Sequence, residues 1–86
     1  MTTFRIRLDQ RARKNLASLD PVVRRRIAKA LDALTADPTP AGCKPLKGLE
    51  GVMRIRVGDY RILYVINADE PLLDVLDIDH RKDIYR

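Results

Sequence analysis

Thr3 to Leu8 alternates strictly, with Phe4, Ile6 and Leu8 on one side and Arg5 and Arg7 on the other, the period of a half-buried strand. Ala12, Leu16 and Leu19 then recur at spacings of four and three, which predicts a short helix that Asp9 can cap and that turns Arg11, Arg13 and Lys14 outward. Asp20 before Pro21 places a capping residue ahead of a proline at the first helical position. The stripe Val23, Ile27, Ala30, Leu31 and Leu34 makes the segment that follows a second, longer helix. Pro38 and Pro40 end it, since each disfavours helical geometry in its predecessor and lacks an amide donor, and residues 37–51 read as a loop. Val52 to Val57 and Tyr60 to Ile66 are two alternating runs separated by Gly58 and Asp59, the composition of a tight hairpin turn. After a turn at residues 67–71, Leu72 to Ile78 carries apolar residues on both faces and reads as an inner strand.

The order βααβββ predicts an α+β fold, with two helices packed on one face of a mainly antiparallel four-stranded sheet and the other face open. With 86 residues the chain closes one core, so residues 1–86 are expected to form a single domain. The hairpin fixes a register. A two-residue loop sets Val57 opposite Tyr60, and therefore Arg56 opposite Arg61, Arg54 opposite Leu63 and Val52 opposite Val65. Met53, Ile55, Val57, Tyr60, Ile62 and Tyr64 then share the reverse side, which is the core. Arginines directly opposed in a sheet repel by some tenths of a kcal/mol up to about 1 kcal/mol. Either a bound anion offsets that cost, or a nearby Asp or Glu neutralises the face.

Charge sharpens the choice. Seventeen Lys and Arg against twelve Asp and Glu give +5, and the excess is segregated: residues up to Arg61 carry +8, whereas residues 62–86 carry −3. Twelve of the seventeen cations are arginine, whose planar fork suits phosphate, so an anionic partner, nucleic acid first, is indicated. The tail adds His80, Arg81, Lys82, Asp83, Ile84, Tyr85 and Arg86. There His80 can exchange protons near neutral pH, and Tyr85 can stack on a base or relay a proton. No run approaches the roughly 18 to 20 apolar residues of a membrane span, and Met1 to Asp9 has no signal-peptide core, so a cytoplasmic protein without membrane contact is expected. Cys43 stands alone, which leaves no intrachain disulfide and no cysteine cage, and neither metal nor other cofactor is expected.

The stretch Lys44, Pro45, Leu46, Lys47, Gly48, Leu49 followed by Met53, Arg54, Ile55, Arg56, Val57, Gly58, Asp59, Tyr60, Arg61, Ile62, Leu63 and Tyr64 resembles the RelE/ParE superfamily of bacterial and archaeal toxins from type II toxin-antitoxin modules. The resemblance spans nearly the whole chain. It implies a microbial-ribonuclease-like fold with the active site on the open sheet face, and, for the RelE branch, cleavage of mRNA on the ribosome. Arg54 and Arg56 match that branch's basic pair on this strand, and Arg61 its phosphate-stabilising arginine. His80 and Arg81 match the basic dipeptide ending the last strand, while Tyr85 matches the terminal tyrosine if a gap of about two residues is allowed. The implied activity is a metal-independent endoribonuclease in which the 2′-hydroxyl of the RNA attacks the adjacent phosphorus. Arg61 would clamp the transition state, Arg54 and Arg56 hold phosphates, Arg81 add charge, and His80 or Tyr85 move protons. Implied partners are the ribosome, mRNA and a small acidic antitoxin in an oligomeric complex. The ParE branch, which blocks DNA gyrase and generally lacks the basic set, is the alternative, as is a catalytically silent binding module.

Overall fold

The computed structural model describes residues 3–80. Strand β1 (Arg5–Leu8) leads into helices α1 (Gln10–Ala17) and α2 (Pro21–Ala36), followed by β2 (Lys44–Pro45), β3 (Met53–Val57), β4 (Tyr60–Asn67) and β5 (Leu72–His80). The five strands form one mixed sheet in the order β1-β5-β4-β3-β2, parallel between β1 and β5 and antiparallel elsewhere. The expected architecture of two helices on one sheet face is therefore observed, with a fifth strand added. That strand lies in the segment read as a loop. It is a two-residue edge pairing Lys44 with Arg54 and Pro45 with Met53, too short to show alternation and placed where a proline without an amide donor is tolerated.

Both helices begin and pack as their sequences require. Asp20 caps α2, its carboxylate accepting from the Val22 amide at 2.9 Å, with Pro21 at the first position. Asp9 departs from expectation: its side chain makes no capping bond, and its amide instead donates to the Val75 carbonyl at 2.9 Å, tying the start of α1 to β5. Ala12 from α1, Ile27, Leu31 and Leu34 from α2, and Ile62, Tyr64, Leu73, Val75 and Ile78 from the sheet form the core. Full burial of each aliphatic side chain there is worth roughly 1.5–3 kcal/mol. Tyr64 is fully buried, and its hydroxyl donates to the Pro38 carbonyl at 2.8 Å, anchoring the exit of α2 on the central strand. Burial pushes that phenol's pKa upward, so it remains a neutral donor.

The hairpin has the register that Gly58 and Asp59 predict: Val57 opposes Tyr60, Arg56 opposes Arg61 and Arg54 opposes Leu63. Gly58 has φ +61°, the positive value a type II′ turn requires at its first central residue. On the other side of β4 the ladder with β5 is broken. Leu63 pairs with Asp77 but Tyr64 pairs with Val75, leaving Leu76 as an extra residue, a β-bulge. Leu73 and Val75 point into the core, and strict alternation would send residues 77 and 79 after them. The bulge changes the parity, so that Ile78 is the next core residue.

Candidate functional site

The sheet face away from the helices carries the arginines. Arg56 is exposed and sits opposite Arg61, with Arg54 two residues along β3, beside Lys44 on β2. Among the described residues neither Arg54 nor Arg56 forms an ion pair. Leu63, opposite Arg54, is buried and supplies an apolar floor between the charged positions.

Arg61 stands differently. Its Nη2 donates to Asp79 Oδ2 at 3.1 Å, both side chains are more than four-fifths buried, and its Nε is buried without a partner among the described residues. An unpartnered buried donor of this kind costs about 1–3 kcal/mol, which a single carboxylate contact offsets only in part. Among the described residues, the acidic neutralisation left open by the sequence is thus real at Arg61 and absent at Arg54 and Arg56. No particular carboxylate was foreseen, because only the bulge brings Asp79 opposite Arg61 on this face. The sequence carries no clear signal for it, because Leu72 to Ile78 is apolar on both faces.

Three carboxylates on β5 have separate environments. Asp74 receives Arg7 through both of its oxygens, with Nε to Oδ1 at 3.0 Å. Asp77 accepts from Asn15 Nδ2 at 2.7 Å and from the Ile78 amide at 2.8 Å, and faces Arg11 Nε at 3.2 Å. Asn15 and Arg11 belong to α1, which packs against β5 beyond the end of β1. Asp79 is held by Arg61, with Asp77 two residues away on the same face. Burial first, and the neighbouring Asp77 second, raise its pKa above the usual carboxylate range, against the lowering influence of Arg61.

His80 does not join the arginines. It is paired with Tyr60, and the two rings meet edge to face with centroids 4.8 Å apart. Tyr60 packs against the core cluster on the helix side, so His80 lies on the opposite face of the sheet from Arg61. The expectation that His80 stands beside the arginine face is corrected for a physical reason: β5 runs on to residue 80, and its bulge reverses which side that residue takes. Arg81 and Tyr85 lie outside the described residues.

Residues 6–85 match the family model for the ParE toxin of type II toxin-antitoxin systems, parDE. Toxin RelG of Mycobacterium tuberculosis is 35% identical over 85 residues, covering 96% of this chain and 97% of that protein. Among solved structures, the RelBE2 toxin-antitoxin complex of Mycobacterium tuberculosis superposes with a TM-score of 0.81 at 30% identity, covering 93% of this chain and 100% of the matched chain. The archaeal RelE-RelB complex of Pyrococcus horikoshii gives 0.80 at 28% identity, covering 93% and 97%.

Proposed function

Since this chain belongs to the RelE/ParE superfamily, as a toxin of a type II toxin-antitoxin system, we propose that it stops growth as a ribosome-dependent, metal-independent mRNA endoribonuclease. The observation that carries this reading is the open sheet face on which Arg54, Arg56 and Arg61 converge with the first two unneutralised by any described carboxylate. Positive charge that does not titrate is what a phosphorane dianion requires, and fixed donors supply it without reorganisation. Arg61 stabilises the transition state, and Arg54 and Arg56 hold the scissile and neighbouring phosphates. Arg81 and Tyr85, placed at the site by resemblance alone, add charge and a proton for the leaving 5′-oxygen. His80 drops out of the proton-transfer roles because its ring is on the helix side. Arginine is a poor base, so cleavage of free RNA is slow and the ribosome is needed to order the message.

The partner follows from the same surface. The solved neighbours named above are complexes with their antitoxins, and a chain of net charge +5 is suited to an acidic antitoxin that covers the arginine face.

The test adds purified protein to translating ribosomes with end-labelled mRNA. The expected products bear a 5′-hydroxyl and a 2′,3′-cyclic or 3′-phosphate, arise only with an exposed A site, and vanish when a 2′-deoxynucleotide occupies the cleavage position. Intact mRNA sinks the nuclease reading. The second reading, inhibition of DNA gyrase, is favoured by the ParE identity of the matching family model; it calls for loss of supercoiling activity with mRNA left whole.

A further inference from the structure

We infer that Asp79 is the proton acceptor of the arginine face, taking the proton of the RNA 2′-hydroxyl while Arg61 holds the adjacent phosphate. This rests on the nuclease reading and goes beyond it, because arginines alone leave the nucleophile unactivated. The placement comes from the fold. The bulge at Leu76 turns Asp79 onto the open face directly opposite Arg61, whose partner across β3 is Arg56. A phosphate drawn to Arg56 and Arg61 therefore arrives next to this carboxylate.

The other acceptors are engaged or elsewhere. Asp74 is held by Arg7 through both oxygens. Asp77 is occupied by Asn15, the Ile78 amide and Arg11. The His80 ring packs on Tyr60 across the sheet. Asp79 has one guanidinium nitrogen on Oδ2, and Asp77 lies two residues away on the same face. The charged groups around it are Arg61 from β4, Asp77 from its own strand and, through Asp77, Arg11 from α1. Burial and Asp77 together make it a stronger base than a free carboxylate.

The step balances as follows. The 2′-O–H bond breaks and its proton passes to an Asp79 oxygen. The 2′-oxygen bonds to phosphorus as the bond from phosphorus to the 5′-oxygen breaks. That oxygen leaves as a hydroxyl after taking one proton from the acid of the site, and Asp79 then returns its proton to solvent while the acid regains one from it. A 2′,3′-cyclic phosphate and a 5′-hydroxyl result, with no net change in protons.

The experiment is single-turnover cleavage of ribosome-bound mRNA at saturating full-length toxin, across pH, for the wild type, Asp79→Asn and Asp79→Glu, with circular dichroism to verify folding. Asparagine keeps an oxygen for Arg61 and loses the base. Asp79→Asn is expected to cut about 100-fold or more slowly, to bind ribosomes as the wild type does, and to lose the limb on which the wild-type rate rises with pH. A variant that cuts at the wild-type rate overturns the assignment. So does a slow variant that keeps the rising limb, which would leave Asp79 a mere support for Arg61. Should Asp79→Asn fail to fold, Asp79→Glu carries the test: a displaced limb supports the base and an unmoved one overturns it. A wild type that leaves mRNA intact overturns the nuclease reading and this inference with it, whereas a cutting wild type beside an equally active Asp79→Asn removes the inference alone.

Discussion

At the scale of single residues, the two opposed arginines are not equivalent, and substitution separates them. Arg56 is exposed and repels Arg61, so Arg56→Ala relieves a like-charge pair and is expected to be neutral or stabilising by up to about 1 kcal/mol. Arg61→Ala leaves the largely buried Asp79 without its guanidinium and is expected to cost about 1–3 kcal/mol while keeping the fold. Urea midpoints measure both effects, and growth arrest on induction should be abolished in the second variant and weakened in the first. Asp79 adds a pH dependence whose sign is set by its raised pKa. The folded chain keeps this proton to higher pH than the unfolded chain does. Its contribution to stability is therefore full below the ordinary carboxylate value near 4 and is lost as pH rises through the folded value. Wild type compared with Asp79→Asn should lose relative stability as urea midpoints are followed upward from about pH 4. A difference that grows in the opposite direction contradicts the environment described for this carboxyl.

At the scale of elements, the bulge in β5 is the device that assembles the site. Deleting Leu76 removes the extra residue and leaves plain alternation from Val75 through Asp77, Ile78 and Asp79, so that Ile78 stays in the core and Asp79 stays opposite Arg61. The deletion variant is therefore expected to keep the Arg61–Asp79 pair and to change stability by only about 1 kcal/mol. Thermal melting of the deletion variant checks this, and a melt many degrees below wild type would mean the parity argument is wrong. The same element marks the limit of what the sequence discloses. β1, both helices and the β3-β4 register were legible because their periods are clean and because Gly58 and Asp59 admit one tight turn. The side taken by residues 79 and 80 was not legible, since Leu72 to Ile78 is apolar on both faces and its pattern hides where an extra residue falls. His80 was grouped with the arginines, and Asp79 passed over, for that one reason. β2 escaped notice because two residues cannot display a period.

At the scale of the whole molecule, positive charge occupies both layers, and the two layers call for different experiments. The open sheet face holds Arg54, Arg56 and Arg61, while the helix layer exposes Arg11, Arg13 and Lys14 on α1 and Arg24, Arg25 and Arg26 on α2. Arg11 faces Asp77, whereas Arg24 and Arg25 are without an ion pair among the described residues. The sheet lies between the layers, so a phosphate bound at α2 cannot be the one attacked at Arg61. Under the proposed function, charge on α2 would serve docking on ribosomal RNA and not the chemical step. Replacing Arg24 and Arg25 with Ser is expected to weaken ribosome association and to flatten its dependence on salt by about 0.7 to 0.9 per cation removed in a plot of log K against log salt. Single-turnover cleavage at saturating toxin should be unchanged. Arg56→Ala is the counterpart, because its cation lies beside Arg61: there the saturated rate itself should fall. If the α2 double variant instead loses rate at saturation with affinity intact, the helix layer takes part in the reaction and the division between a docking layer and a cutting face fails.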